Sequence, residues 1–212
     1  MLNREFISKL SLTLSDLQIQ TLQTYAELVL KKNEEFNLTA AKTMQEIFDR
    51  HICDGLQAAA LLKQEGFEQK TVADFGTGAG FIGVTVSIAL PETKVYLIDS
   101  LQKRTKFLQW IVYKLCLKNV EVITMKIGQE KLNNKFDFIL ERAMGEIDDI
   151  LPLCLENLNN GGIFGALLSK NTQSTTKPNK EHFYSLPGDK EILGRKISVY
   201  YVFSLKKPVF AA

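Results

Sequence analysis

No apolar run in the 212-residue chain approaches the ~20 residues a membrane-spanning helix needs. The first residues, Met1-Leu-Asn-Arg-Glu-Phe6, bring in an acid at once and lack a long apolar stretch, so they do not read as a secretory signal. Cysteine is scarce. Cys53, Cys116 and Cys154 are far apart, odd in number and without C-x-x-C spacing, which argues against a disulfide framework and against a zinc site. The expectation is reduced core cysteines in a cytoplasmic protein with no metal centre. Neither sign of charge dominates: 26 Lys and Arg against 24 Asp and Glu leave a net +2, which neither supports nor excludes a nucleic-acid partner. Repeats are absent. With 45% hydrophobic and 24% charged residues the composition is that of an ordinary globular chain, and the length suits one α/β domain with an appendage.

What is present is a glycine loop between a short apolar run and a helix. Val72-Ala-Asp-Phe-Gly-Thr-Gly-Ala-Gly-Phe81 is answered by Val95-Tyr-Leu-Ile-Asp99, a second apolar run ending in an acid about twenty positions after the loop. Such a pair holds an adenosine-bearing ligand in a parallel α/β domain. The glycines admit close backbone approach, and the acid accepts hydrogen bonds from ribose hydroxyls. Gly78-Ala-Gly80-Phe-Ile-Gly83 also satisfies the dinucleotide spacing G-x-G-x-x-G, so an NAD reading has to be weighed, as does a glycine turn that merely joins strand to helix. Asp74 favours S-adenosylmethionine. A carboxylate two residues before the first glycine can meet an amino group or loop N–H groups, but would repel a pyrophosphate drawn to a positive helix N-terminus. The form D-x-G-x-G-x-G, at Asp74, Gly76, Gly78 and Gly80, resembles motif I of class I methyltransferases.

The first 65 residues read as helices. Ser15-Asp-Leu-Gln18 has capping-box form with Leu14 and Ile19 placed as a hydrophobic staple, and Leu22, Tyr25, Ala26 and Val29 follow at helical spacing. Thr43-Met-Gln-Glu46 predicts a second box opening a helix to about Leu62. From Thr71 short apolar runs alternate with helical stretches: strands are predicted over 71–75, 94–98, 120–124, 136–141 and 162–168, and helices over 80–89, 101–117 and 146–157. That alternation implies a parallel sheet with right-handed crossovers. Ile197, Val199, Tyr201 and Phe203 recur with period two, which suits a final strand, antiparallel at or near an edge. The organisation predicted is a helical extension, 1–65, packed on an α/β domain, 66–212. The polar run Lys170–Asn179 reads as a mobile loop. Basic residues gather at Lys103-Arg104-Thr-Lys106 and in the tail, where residues 170–212 carry eight Lys and Arg against three acids. Such patches can neutralise phosphates, although a solvated face is the commoner explanation.

Asn37-Leu-Thr39, Arg50-His51-x-x-Asp54, Asp74-Phe-Gly-Thr-Gly-Ala-Gly-Phe81, Leu97-Ile-Asp99-Ser100, Lys103-Arg104-x-x-Phe107-Leu108 and Glu141-Arg142-Ala143 occur in that order. Together, over about residues 15–170, they resemble the bacterial 16S ribosomal RNA guanine-N7 methyltransferases, the glucose-inhibited division protein B family. The resemblance implies a Rossmann-like class I methyltransferase fold. Its sheet would be mostly parallel and seven-stranded, with an antiparallel C-terminal hairpin, beside the N-terminal helical extension. It implies S-adenosyl-L-methionine as cofactor, 16S rRNA of the small ribosomal subunit as partner, and 7-methylguanosine near the decoding region as product. Position by position it implies that Asp74, Gly76, Gly78 and Phe81 serve the cofactor through the glycine loop and that Asp99 takes its ribose. Ile127 and Gly128 would meet the adenine, and Arg142 would lie beside the methyl-transfer region as a cofactor-binding residue in reach of the RNA. For the RNA it points to Asn37, Arg50, His51, Lys103, Arg104 and Lys126. The chain departs from the family where Lys126-Ile127-Gly128 replaces a usual Arg-Ala-Glu, and where Ile82 and Thr85 stand at usual prolines. Lysine keeps the charge but loses the bidentate fork.

The chemistry accounts for a further absence. Guanine N7 carries an in-plane lone pair and no proton, so a methyltransferase acting there needs alignment rather than a general base, and no catalytic dyad is apparent. Phe138-Ile-Leu-Glu-Arg-Ala143 lacks the Asn/Asp-Pro-Pro-aromatic motif of amino-group methylases, and Cys154 lies in a predicted helix rather than in a Pro-Cys nucleophile context. Nothing demands a dimer, so a monomer is expected. His51 and Asp54 share a helical face with Arg50 beside them, as a helix-stabilising ion cluster or as a site lining. His182 reads as structural or surface, Phe107, Trp110 and Ile111 as core, and Asn37 as either a cap or a cleft residue. Two other functions compete: a small-molecule methyltransferase or NAD enzyme, and a non-catalytic assembly factor on this fold.

Overall fold

Ser15 opens the first long helix as its capping box predicts: its hydroxyl accepts from the Gln18 N–H, while the Gln18 side chain accepts from the Ser15 N–H. The computed structural model describes residues 4–129, 131–142, 144–168, 177–185 and 197–204. Its helical N-terminal part comprises α1 (Arg4–Lys9), α2 (Asp16–Phe36), α3 (Met44–Ile47) and α4 (Cys53–Gln64). The predicted helix from Thr43 to Leu62 is present, but a π-helical turn at Phe48–Ile52 divides it. Its box closes half as predicted. The Thr43 hydroxyl accepts from the Glu46 N–H, but the Glu46 carboxylate takes the N–H of Lys42.

The α/β part runs β1 (Thr71–Phe75), α5 (Phe81–Ala89), β2 (Lys94–Asp99), α6 (Gln102–Lys114), β3 (Val120–Thr124), β4 (Phe136–Arg142), α7 (Ile147–Glu156), β5 (Leu158–Leu168), β6 (Lys180–Ser185) and β7 (Ile197–Ser204). The strands form one seven-stranded sheet in the order β3-β2-β1-β4-β5-β7-β6. β1 through β5 pair in parallel, and β7 is antiparallel to both β5 and β6. The sequence marked β7 but not β6, which takes the edge. β5 starts at Leu158, four residues before the predicted start, through a register shift beside Phe136. Of the predicted polar loop, residues 170–176 lie outside the described residues.

Both faces of the sheet are covered, so its central strands are apolar on both sides. Val72, Val95, Leu97, Phe138 and Leu140 point into one core with α2, α4, α5 and α6. Their neighbours Ala73, Tyr96, Ile98 and Ile139 point into a second core with α7. α5 is buried along its whole length, with α4 packed so tightly against it that Gly55 touches Thr85. One cysteine departs from expectation. Cys53 and Cys154 are buried, but Cys116 is exposed. It takes a left-handed φ of 53° just past α6, where the Leu117 N–H closes back on the Val112 carbonyl at 3.0 Å, a helix-ending turn that points its side chain outward. Among the described residues no helix is long and apolar enough to cross a membrane.

The strand order reverses between β1 and β4. In open α/β sheets the crevice at the carboxyl ends beside such a switch point is where ligands bind. The glycine loop after β1, Asp99 at the end of β2 and Arg142 at the end of β4 all lie at those ends.

Candidate active site

Three left-handed residues build the loop between β1 and α5: Gly76, Gly78 and Gly80 have φ of 65°, 61° and 89°. Only glycine takes those angles without strain, and at Gly80 a Cβ would also come within 2.6 Å of Leu108. Asp74 lies beneath the loop. Its Oδ2 accepts from the Thr77 hydroxyl at 2.6 Å and from the Gly83 N–H at 2.8 Å, joining strand end, loop and first helical turn. Burial pushes its carboxyl up to about 6, against the lowering pull of the Thr77 and Gly83 hydrogen bonds and Arg142; the charge of Asp99 adds to the rise. From the other side the phenol of Tyr25, fully buried on α2, donates to the Ala79 carbonyl at 2.9 Å.

Asp99 ties the loop to β2. Its Oδ2 accepts from the Gly78 N–H at 2.9 Å and from Arg104 at 3.3 Å, and its Oδ1 from the Leu101 N–H at 2.9 Å. It is buried, yet it faces a cleft of about 420 Å³, a size suited to a small ligand. Gly76, Asp99, Arg104 and Lys126 supply the polar wall, and Met125, Ile127, Ile150 and Leu153 the apolar one. An ionised carboxylate has about four acceptor positions, and three are taken by these neighbours. One position is left for a ligand hydroxyl, while an aromatic ring fits the apolar flank. Those donors and surfaces suit a nucleoside.

A second cluster assembles around Arg142. Its Nη1 lies 3.0 Å from Asp54 Oδ2, 3.2 Å from His51 Nδ1 and 3.4 Å from the Arg50 carbonyl, and its guanidinium sits over the Phe81 ring at 5.7 Å. The His51 ring stacks on Phe81 with centroids 4.0 Å apart and planes 10° apart. Arginine only donates, so His51 Nδ1 accepts, and its Nε2–H is then the donor toward Thr39 Oγ1, 2.7 Å away. At the end of β4, Glu141 is buried and accepts from the Met144 N–H; burial, more than the nearby charge of Asp74, pushes its carboxyl up to about 7.

Residues 18–192 match the sequence model of the family described as rRNA small subunit methyltransferase G (GidB). The chain belongs to that family. Curated relatives carry the name ribosomal RNA small subunit methyltransferase G. That of Acetivibrio thermocellus is 32% identical over 205 residues, covering 95% of this chain and 80% of its own. The Leuconostoc citreum protein is 37% identical over 164 residues, 74% and 69% of the two chains. For Ruthia magnifica the identity is 32% over 192 residues, covering 91% and 92%. Among solved structures, a SAM dependent methyltransferase from Aquifex aeolicus matches with a TM-score of 0.55 and 20% identity, over 82% of this chain and 98% of that one. At that identity the likeness speaks for the fold alone: a Rossmann-like methyltransferase fold, as the motifs implied.

The structure gathers the expected site residues into two groups. Gly76, Asp99, Arg104, Lys126 and Ile127 face the cleft, with Gly78 bonded to Asp99. Phe81, His51, Arg50 and Arg142 form the second cluster, with Asp54, so His51 and Asp54 converge on a strand residue. Asp74 supports the loop from below and is not part of the cleft wall. Asn37 is the left-handed C-cap of α2, φ 50°, and exposed. Gly128, φ 83°, lies where a Cβ would meet Leu153 at 3.1 Å. Lys103 turns away from the cleft, over the Phe36 ring at 4.7 Å. Phe107 and Ile111 are core, and Trp110 is partly buried against it. Sequence reasoning had no site role for Tyr25, Thr39, Thr77 or Glu141. Tyr25 contacts the loop across 54 residues, and no local spacing marks such a partner.

Proposed function

We propose that this chain transfers the methyl group of S-adenosylmethionine to N7 of a guanine in the 16S rRNA of the small ribosomal subunit, acting as a cytoplasmic monomer. The observation that carries the reading is Asp99: a buried carboxylate with acceptor capacity left, bonded to the glycine loop and facing a cleft whose opposite wall is apolar. When bound, S-adenosylmethionine supplies an electrophilic sulfonium methyl. The residues then divide the work. Asp99 would take a ribose hydroxyl, Gly76 would let the backbone come close, and Met125 and Ile127 would flank the adenine. Arg142, fixed by Asp54 and His51, sets a positive charge beside the loop for a carboxylate or an RNA phosphate.

No side chain needs to remove a proton, because N7 has none. Asp74 and Glu141 are not offered as bases: Asp74 is engaged by Thr77 and Gly83, and Glu141 by Met144. Rate enhancement then rests on alignment of N7, methyl and sulfur, which can contribute up to about 7–11 kcal/mol.

The test uses labelled S-adenosylmethionine and small subunits lacking 7-methylguanosine, with the modified base mapped by borohydride–aniline cleavage. One cut at a single guanine is the expected result. Cofactor binding without label in RNA would point to a different substrate, and absence of cofactor binding would make a non-catalytic assembly factor the better reading.

A further inference from the structure

α6 carries Lys103, Arg104, Lys106 and Lys114 and no acid. Lys103, Lys106, Trp110, Tyr113 and Lys114 recur at spacings of three and four and so share one stripe of the helix. Solvated helix faces usually interleave both signs of charge; this one does not, and among the described residues Lys103, Lys106 and Lys114 make no ion pair. It is also apolar where a solvated face would not be. Of the three large apolar side chains exposed among the described residues, Tyr113, 77% exposed, lies on this stripe, and Leu101, 52% exposed, caps the helix start.

The end of α2 adds to the same surface. Lys32 Nζ sits over the rings of both Phe36 and Trp110 at 5.7 Å, and Lys103 Nζ over Phe36 at 4.7 Å. Two ammonium groups are thus gathered on one ring, with Glu35 bonded to Lys32 at 2.7 Å as the acid at hand. Cation–π contact fixes an ammonium while leaving N–H donors directed outward. The stripe starts beside the cleft: Lys103 faces away from it, but the next residue, Arg104, on the adjoining face of α6, lies on its wall. From Arg104 to Lys114 the helix rises ~15 Å.

We infer that this stripe of α6, with Lys32 and Phe36, is a track for single-stranded RNA that leads the substrate strand into the cleft. The lysines neutralise successive phosphates, and the open face of Tyr113 stacks a base. The inference rests on the rRNA reading above.

Trp110 is the only tryptophan, and with Lys32 over its ring its emission reports on this surface. Titration with protein-free 16S rRNA is expected to change that emission, with affinity falling steeply with salt. Lys106→Ala and Lys114→Ala should each flatten the slope of log affinity against log salt by about 0.7–0.9. Tyr113→Ala should weaken binding about tenfold with the slope unchanged, since stacking releases no counterions. All three side chains are exposed, so the variants fold and keep S-adenosylmethionine binding. On small subunits they raise KM and hold kcat. Unchanged RNA affinity and slope, with methyl transfer intact, would overturn the track and leave the functional reading standing. A KM defect on subunits without an affinity defect on free RNA would place a ribosomal protein on this surface, and also overturns it. Failure of the functional reading shows earlier, as absence of methyl transfer by the unaltered protein.

Discussion

Glu141 and Asp74 are buried carboxyls, pushed by burial to about 7 and about 6, and the charge of Asp74 adds to the rise of Glu141. A carboxyl with a higher pKa folded than unfolded binds protons preferentially in the native state, so protons stabilise the fold. For Glu141 that stabilisation is complete below 4.5, its ordinary value, and is lost as pH rises toward 7. The displacement corresponds to a loss on the order of 3 kcal/mol across the window. Glu141→Gln keeps an oxygen for the Met144 N–H but cannot ionise. The variant is therefore expected to lose less stability than the unaltered protein between pH 5 and pH 8, read as urea unfolding free energies at both values. An equal loss in the two proteins would mean that Glu141 is not the titrating group.

Gly55 sets how closely α4 and α5 pack. A Cβ there would stand 2.4 Å from the Thr85 Cβ and 2.6 Å from the Phe81 carbonyl. In an open helix Gly→Ala gains about 1 kcal/mol; here overpacking costs about 1–3 kcal/mol, so the sign is set by packing. Gly55→Ala is expected to lower Tm and, because α5 begins at Phe81 beside the glycine loop, to weaken S-adenosylmethionine binding in calorimetry. A variant with raised Tm and unchanged affinity would refute both. The elements were readable where their own period marked them: β1 to β4 as apolar runs, α5 to α7 as helical stretches, the loop by its glycines. β6 was not, because Lys180-Glu-His-Phe-Tyr-Ser185 has no clean alternation and becomes a strand only through β7. Nor was the π turn at Phe48–Ile52, an extra residue in a helix that is otherwise ordinary in sequence. The cleft side of the site followed from two local motifs. The Arg142 cluster did not, since Asp54 and Arg142 meet across 88 residues.

At the scale of the molecule, α1 and α2 belong to the same core as the sheet. Leu22, Tyr25, Ala26 and Val29 of α2 are fully buried in a cluster that also holds Val84, Leu97 and Leu140. Burying one large apolar side chain is worth about 1.5–3 kcal/mol, so these residues together approach the whole stability of a domain, about 5–15 kcal/mol. We propose on that ground that the helical segment 1–65 is not an independent appendage, and that a chain beginning at residue 41 does not fold cooperatively. The full chain should melt in one transition by near- and far-ultraviolet circular dichroism, and the shortened chain should show no near-ultraviolet signal. A shortened chain that melts sharply would refute that expectation. Even then its cofactor affinity should fall, because Tyr25 leaves with α2 and the Ala79 carbonyl of the glycine loop loses its hydrogen-bond donor. The N-terminal helices are tied to the chemistry through that bond as well as through the core.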